Sequence, residues 1–290
     1  MEKRKLYAYL DINNPIVAWE VAIGRIQSIC HESKFGVSIW FYKSVKAFIE
    51  NNLTTRLQNE LALEKVRQTQ FPNKVSRLTG VYLFNTKEIA EQAIDRWGVN
   101  PKLKEFIAEI DFYGVNFTEV DSEWISDFMD TPVEQNAQWM SNYWASEPRW
   151  QTPLTEVIAS GFGVITDQNI RIKAYEKLYE LWPTSSVLFC AAMAGFSTGE
   201  MNQICRVKPA IIQEEDGSIS GQIFINMEDF HKKQKRIIQA LEESRKHGFT
   251  PQFVIPEGPD GLTKIPDLSH LRFSTNDKVT ETLFKLIHES

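Results

Sequence analysis

Residues 63–84 read LEKVRQTQFPNKVSRLTGVYLF and contain a helical pattern, a proline and a strand pattern in succession. Apolar residues recur at close to 3.6-residue spacing from Ser44 to Val66, which predicts one long helix. Pro72 lacks a backbone N–H and cannot continue a helix, so the predicted helix ends before it. Aromatic and β-branched residues dominate 78–84 and predict a strand. The stretch therefore places a polar turn between a helix and a strand.

The flanking sequence predicts short elements on both sides of this stretch. Upstream, we expect strands at 6–12 and 35–41 with a helix at 17–29 between them. Downstream, Thr86 is expected to cap a helix that Gly98 ends. The other elements predicted before residue 170 are a strand at 106–112, helices at 123–129 and 132–143, and strands at 156–160 and 163–166 separated by a turn at Gly161.

The remainder of the chain has a different pattern. Residues 172–206 predict helices broken near Pro183 and Gly195, and 207–226 predict a hairpin that turns at Asp216-Gly217. An amphipathic helix at 227–247 and a last helix from about Thr275 complete the pattern. The prediction is an α+β protein that divides near residue 170 into one region at 1–170 and an accessory α+β region at 171–290.

Composition excludes several classes of protein. The chain has 290 residues and a net charge of −6, and it lacks the basic surplus expected of a protein that coats nucleic acid. Its three cysteines form no C-x-x-C pair and its five histidines have no metal-ligand spacing, so we expect neither a disulfide framework nor a metal site. No apolar run approaches membrane-spanning length. We therefore expect a cytoplasmic protein that does not bind a membrane.

The common nucleotide and hydrolase motifs are missing from the sequence. It contains no G-x-x-x-x-G-K-[ST], G-x-G-x-x-G or G-x-S-x-G. A collocation of short pieces is present instead. These are Glu64-x-Val66-Arg67, Phe71-Pro72-Asn73-Lys74, Ser76-Arg77-Leu78, Tyr143-Trp144 and Pro153-Leu154-Thr155-Glu156.

Together these pieces resemble an uncharacterised bacterial and phage branch of the ADP-ribosyltransferase superfamily. The resemblance covers residues 60–175 and departs from the pattern at Val75, where that branch has proline. It implies a split-sheet catalytic fold that binds NAD as a substrate and requires no metal. It also implies transfer of ADP-ribose to a macromolecule, as in bacterial toxins, phage-defence systems and phage effectors.

The resemblance assigns roles to five residues. Cleavage of the nicotinamide–ribose bond passes through an oxocarbenium-like state, which a carboxylate stabilises, and Glu156 suits that role. Arg77, with Ser76, would hold NAD phosphate or ribose. Tyr143 or Trp144 would face the nicotinamide ring, with Tyr82 as a further aromatic candidate. The structural alternatives are an exposed strand-end glutamate, a solvated turn arginine, and aromatic residues that only fill the core.

Two hypotheses of function follow. The first is an NAD-dependent mono-ADP-ribosyltransferase whose acceptor is a protein or a nucleic acid. Net charge favours protein, whereas three Trp and one Tyr in 139–150 beside Arg149, and the basic run 232–236, keep RNA or DNA open. The second is a non-enzymatic module that docks a partner, such as an antitoxin or a chaperone, in a toxin–antitoxin or phage complex.

Overall fold

Two long antiparallel strands form the centre of the fold, β4 (Ile107–Asp121) and β5 (Thr155–Ile165). The computed structural model describes residues 1–29, 36–132, 134, 137–216, 218–246, 251–258 and 261–275. Within these ranges the chain is a mixed α+β protein with antiparallel sheets, as the sequence predicted. The expected strand at 106–112 is confirmed, but it continues nine residues further, to Asp121.

Three short strands complete the central sheet. Strand β1 (Glu2–Tyr9) pairs with the first half of β4. Strands β2 (Arg25–Gln27) and β3 (Val81–Leu83) share one edge of β5, because β2 pairs with residues 162–164 and β3 with residues 157–159. The edge of the sheet is therefore divided between two strands that come from different parts of the chain.

Gly161 lies at the point where this edge divides. The sequence predicted a turn here, but β5 runs through it without interruption. Gly161 has φ of 153° and faces Gly114, where the β4–β5 register shifts. A Cβ atom on Gly161 would lie 2.2 Å from the Tyr113 carbonyl oxygen, so glycine alone permits this approach of the two strands.

The described part of the N-terminal half contains six α-helices. They are α1 (Pro15–Ile23), α2 (Ile39–Glu50), α3 (Thr54–Gln70), α4 (Lys87–Arg96), α5 (Glu123–Phe128) and α6 (Gln138–Trp144). The predicted α4 is confirmed, since Thr86 Oγ accepts a hydrogen bond from Ile89 N and Gly98 follows the helix with φ of 64°. Helix α3 ends before Pro72, as expected.

Two predictions around α2 are wrong. The single long helix expected from Ser44 is two helices, because Asn52 adopts φ of 55° and turns the chain between them. The strand expected at 35–41 is helical from Ile39, where the Ser38 hydroxyl caps the helix by accepting a hydrogen bond from Phe41 N. Residue 35 lies outside the described residues.

The described part of the C-terminal half adds four α-helices and a three-stranded sheet. Its elements are α7 (Gln168–Leu181), α8 (Ser186–Ser197), β6 (Arg206–Gln213), β7 (Ile219–Asn226), α9 (Glu228–Lys232), α10 (Gln234–Lys246) and β8 (Phe273–Thr275). The break near Pro183 and the hairpin of β6 and β7 are confirmed. Gly195 lies inside α8 and breaks nothing, and the helix predicted at 227–247 is divided at Lys233. The last predicted helix falls almost wholly outside the described residues.

The two halves share buried contacts. Glu20 forms a two-point ion pair with the fully buried Arg25, and Arg25 Nη1 donates to the carbonyl oxygens of Asn202 and Ile204 at 3.0 and 2.8 Å. Val207 N in turn donates to Glu20 at 2.7 Å. One hydrophobic cluster contains residues from both sides of position 170. The domain boundary predicted there stays a prediction.

Among the described helices, none combines the length and apolar character needed to cross a bilayer.

Replacing Gly161 by alanine should lower the free energy of unfolding by about 3 kcal/mol or more, because the new methyl group meets the Tyr113 carbonyl and the backbone strains. Gly98→Ala is the matched control. Gly98 also has positive φ, but a Cβ there meets no atom within 4 Å, so its cost should be about 1 kcal/mol. Urea unfolding of both variants measures the difference, and equal losses would contradict the proposed clash.

Candidate active site

A cleft of about 820 Å³ opens beside the divided edge of the sheet. Its walls come from α2, from β2 and β3, and from the start of β5. This volume is within the range of pockets that bind small molecules and cofactors. Trp40, Arg77, Tyr82 and Glu156 meet on its surface.

Glu156 is the carboxylate of this cleft. Its side chain comes from the second residue of β5 and the residue is 6% exposed. Within the described part of the chain, no group donates a hydrogen bond to its oxygens and no cation lies within ion-pair distance of them. Burial raises the pKa of Glu156 to about 7, against the opposing effect of the Arg77 charge and with a further increase from Glu60. A carboxylate in this state is available to a ligand.

Arg77 lies beside Glu156 but is already paired with another acid. Its Nε donates to Glu60 Oε1 at 2.6 Å and its Nη2 to Glu60 Oε2 at 3.3 Å. Its Nη1 donates to the Tyr143 hydroxyl at 2.7 Å. Both ions of the pair are buried, with side-chain exposures of 3% for Arg77 and 2% for Glu60.

The charge of Arg77 is retained despite its burial. Burial acts to lower the pKa of Arg77. The Glu60 carboxylate and the oxygens of Tyr143 and Tyr82 outweigh this effect and raise the pKa to well above its ordinary value. Burial also raises the pKa of both tyrosines. At neutral pH the site therefore contains a compensated Arg77–Glu60 pair, two neutral phenols and one titrating carboxyl group.

Three aromatic rings surround the Arg77 guanidinium. Its central carbon lies 5.2 Å from the ring centroid of Trp40, 5.3 Å from that of Tyr82 and 5.5 Å from that of Tyr143. Trp40 and Tyr82 also contact each other, with ring centroids 4.7 Å apart. Tyr82 is held in place because its hydroxyl donates to the Arg77 carbonyl oxygen at 3.0 Å. Trp40 and Tyr82 line the cleft, and all three rings limit the movement of the guanidinium.

The residues expected to contact NAD have separate positions. Glu156 and Arg77 lie in the same cleft, but Arg77 is paired with Glu60 rather than free for a phosphate. Ser76 faces away from the cleft toward α3, where it lies beside Glu64, and its hydroxyl accepts a hydrogen bond from Leu78 N at 3.1 Å.

The aromatic assignment needs correction. Tyr143 and Trp144 are both 0% exposed. The Tyr143 hydroxyl accepts a hydrogen bond from Arg77, and Trp144 Nε1 donates to the Leu63 carbonyl at 2.9 Å in the core. Of the three rings around Arg77, a ligand can reach Trp40, which is 38% exposed, and the partly buried Tyr82.

Two residues of the site were not predicted from the sequence. Trp40 fell in a segment interpreted as a strand, and Glu60 fell in the long helix predicted from Ser44 with no role assigned to it. A signal for Glu60 was present, because Glu60 follows Leu57 by three residues and so lies on the apolar face of α3. An acid on an apolar helix face requires a partner, and here that partner is Arg77.

The pieces that carry the family resemblance build the loop before Arg77. Arg67 Nε and Nη2 both donate to Glu64 Oε1, at 2.9 and 2.8 Å, and Arg67 Nη1 donates to the Lys74 carbonyl at 3.0 Å. Val75 N donates to the Thr118 hydroxyl at 2.8 Å, which fixes the loop to β4. These contacts end α3 and place Arg77 against Glu60.

The aromatic segment 139–150 is mostly core. Trp139 stacks on Phe128 with ring centroids 5.7 Å apart, and Phe128 stacks in turn on Trp124. Trp150 is 53% exposed, and its ring lies 4.3 Å from the guanidinium carbon of Arg149. Arg149 also pairs with Asp127 at 3.0 Å. None of the residues 139–150 lines the Glu156 cleft, although Tyr143 bonds to Arg77 in its wall.

The stability of the protein should depend on Glu156 ionisation. The pKa of Glu156 is raised from 4.5 to about 7, so the folded state holds this proton more tightly than the unfolded state does. The contribution of Glu156 is therefore complete below pH 4.5 and is lost as the pH rises through 7. Relative to Glu156→Gln, the wild-type protein should lose about 3 kcal/mol between pH 4.5 and 8. Urea unfolding across this range measures it.

The control for this measurement is Glu147→Gln, which removes an exposed glutamate. Its difference from wild type should not change across the same pH range. A constant difference between wild type and Glu156→Gln would contradict the raised pKa.

Comparison with known proteins identifies a family. A search of curated proteins finds no relative of the chain. A family model described as "Protein of unknown function (DUF2441)" matches residues 23–171. The matched segment contains the whole cluster of Trp40, Glu60, Arg77, Tyr143 and Glu156, and it spans just over half of the 290 residues. The chain therefore belongs to the DUF2441 family.

Proposed function

We propose that the protein is an NAD-consuming mono-ADP-ribosyltransferase in which Glu156 is the catalytic carboxylate. The observation that carries the proposal is a buried carboxylate with no hydrogen bond from any described residue, on the wall of a cleft lined by aromatic rings. The division of one strand edge between β2 and β3 supports the split-sheet fold that the sequence resemblance implies.

The chemistry requires a carboxylate of this kind. The bond between ribose C1′ and the nicotinamide nitrogen breaks and its electron pair stays on the nitrogen, so nicotinamide leaves as a neutral molecule. The ribose carbon acquires oxocarbenium character and then bonds to an acceptor nucleophile, which releases its proton to solvent. Glu156 in its ionised form stabilises the positive charge on the ribose.

The charge of bound NAD would itself ionise Glu156. The nicotinamide ring is cationic before cleavage, and an opposite charge nearby lowers the pKa of a carboxyl group. A carboxyl group with a pKa of about 7 in the free protein thus becomes a carboxylate when the ring binds beside it. Trp40 and Tyr82 provide the flat surfaces against which the cationic ring can stack.

The pyrophosphate of NAD needs cationic donors other than Arg77. Lys43 and Arg56 line the same cleft with side-chain exposures of 48% and 36%. Their ion-pair partners, Asp11 and Asp130, are also partly exposed, so these pairs are weak and exchange readily for a phosphate. We assign to Arg77 the placement of charge beside Glu156 rather than the phosphate contact that the sequence suggested.

The acceptor is proposed as a macromolecule, with protein favoured by the net charge of −6. A role as a cytoplasmic toxin or phage-defence effector, controlled by an antitoxin or chaperone, agrees with the family resemblance. The division of the chain into a catalytic part and an accessory part would give the second part the task of acceptor or partner recognition.

The first test measures NAD cleavage. The protein is incubated with NAD labelled in its ADP-ribose part and with cell lysate, and nicotinamide release and label transfer are followed. Glu156→Gln should reduce both by about 100-fold or more, because it removes the charge that stabilises the transition state. Glu147→Gln, on the exposed surface, should leave them unchanged.

The acceptor class follows from the same samples. Label that protease releases indicates a protein acceptor, and label that nuclease releases indicates RNA or DNA. Absence of both nicotinamide release and transfer in the wild-type protein would contradict the enzymatic proposal and leave the docking module as the better hypothesis.

The second test addresses the aromatic wall. Trp40→Ala should raise the KM for NAD by about tenfold, since stacking on an aromatic ring stabilises a bound cation by about 1 kcal/mol or more. Trp40→Phe retains a ring and should recover most of the affinity. An unchanged KM in Trp40→Ala would place the nicotinamide elsewhere in the cleft.

A further inference from the structure

Two carboxylates, those of Glu60 and Glu156, lie near the Arg77 guanidinium. The Glu60 carboxylate raises the pKa of Arg77, and the Arg77 charge acts to lower the pKa of Glu156. Arg77 pairs with Glu60 through two hydrogen bonds of 2.6 and 3.3 Å. No pair between Arg77 and Glu156 forms within the 4.0 Å limit for an ion pair. Because Arg77 pairs with Glu60 and not with Glu156, the Glu156 carboxylate stays open to other groups.

We propose that Glu60 is a positioning residue for Glu156. By holding the Arg77 guanidinium in a two-point pair, Glu60 prevents Arg77 from pairing with Glu156 and leaves the Glu156 carboxylate open to a cationic group of the ligand. The relevance to NAD rests on the proposed function. The selection of one ion pair over the other does not.

The geometry around Arg77 supports this selection. The Nε and Nη2 edge of the guanidinium faces Glu60, and Nη1 donates to the Tyr143 hydroxyl at 2.7 Å. A planar fork that is engaged on both edges has little freedom to rotate. The rings of Trp40 and Tyr82 pack near the same group and restrict it further.

The charged and titratable groups near Glu156 come from three places in the fold. Glu60 lies on α3, Arg77 and Tyr82 lie in and after the loop before β3, and Tyr143 lies on α6. Both phenols are neutral at physiological pH because burial raises their pKa values. The charge at the site is therefore set by Glu60, Arg77 and Glu156. If Arg77 paired with Glu156, Glu60 would be the acid left without a partner, and Glu60 does not line the cleft.

A double-mutant cycle on the Glu156 titration tests the proposal without NAD. The protein is labelled with ¹³C at glutamate side chains, and the Glu156 carboxyl signal, identified from its loss in Glu156→Gln, is followed against pH. We compare wild type, Glu60→Gln, Arg77→Met and the Glu60→Gln/Arg77→Met double variant. Glu60→Gln should lower the Glu156 midpoint by about 1 unit or more, because Arg77 loses its partner and turns to Glu156.

The Arg77→Met background separates two effects. Glu60 also raises the pKa of Glu156 through its own negative charge, and that effect remains when Arg77 is absent. We expect Glu60→Gln to lower the midpoint by less than half as much with Met at position 77 as with Arg. Equal decreases in the two backgrounds, or no decrease in either, would overturn the proposal.

Glu64→Gln is the matched control. Glu64 is buried on the same helix, one turn after Glu60, and pairs with Arg67 instead. This change should leave the Glu156 midpoint in place. A decrease equal to that of Glu60→Gln would show a general response to the loss of a buried acid and would also overturn the proposal.

A crystal structure of Glu60→Gln gives a second readout if Arg77→Met does not fold. An Arg77 nitrogen within 4.0 Å of a Glu156 oxygen supports the proposal, and a guanidinium that keeps its place overturns it. Failure of the proposed function is distinguishable from failure of this inference. A protein that never cleaves NAD but shows the midpoint shift retains the inference, and one that cleaves NAD without the shift retains the function alone.

Discussion

The ion pair between Glu60 and Arg77 connects the parts of the molecule that form the cleft. Removing two ions of this kind from water costs several kcal/mol each, and the pair survives burial because the guanidinium has three hydrogen bonds, two of them to Glu60. Its partners come from α3, from the loop before β3 and from α6. The pair therefore fixes three elements against one another, and removal of either residue would take away the group that compensates the buried charge of the other.

The central strands set the other boundary of the site. Gly161 allows β4 and β5 to approach closely where the edge of the sheet divides between β2 and β3. Glu156 lies five residues before this glycine on β5, beside β3 rather than β2. The strand edge thus brings the carboxylate next to Tyr82, and the ion pair brings Arg77 next to both. Backbone geometry and a buried charge act together to place four side chains in one cleft.

Local signals in the sequence predicted local structure correctly. The cap at Thr86 and the hairpin that turns near Asp216 depend on a few neighbouring residues, and both are present. The break between α2 and α3 was missed because the apolar period continues across it, while Asn52 alone takes the left-handed conformation. The turn predicted at Gly161 was wrong for a related reason. A glycine with positive φ occurs in turns and in strand irregularities alike, and only pairing with a distant strand decides between them.

The candidate site was predictable only in part, since its charges are organised by tertiary contacts. Glu156 and Arg77 were selected from the sequence and do share a cleft. Trp144 was also selected, but it lies in the core. The sequence could not show this, because a Tyr-Trp pair does not reveal which side of its helix faces a ligand. The role of Glu60 was the hardest to predict, because its only signal in the sequence is its position on the apolar face of α3.

The balance of charge explains why these roles differ. Glu60 and Arg77 compensate each other and belong to the folded protein, whereas Glu156 is left as a buried acid without a partner among the described residues. Such a group titrates near neutral pH when nothing is bound and ionises when a positive charge arrives. A cation beside Glu156 would supply the partner that the described residues do not. In the proposed reaction the cationic ring becomes a neutral leaving group while its charge passes to the adjacent ribose, so a positive charge would remain beside Glu156 throughout, which agrees with the proposal of NAD as the substrate.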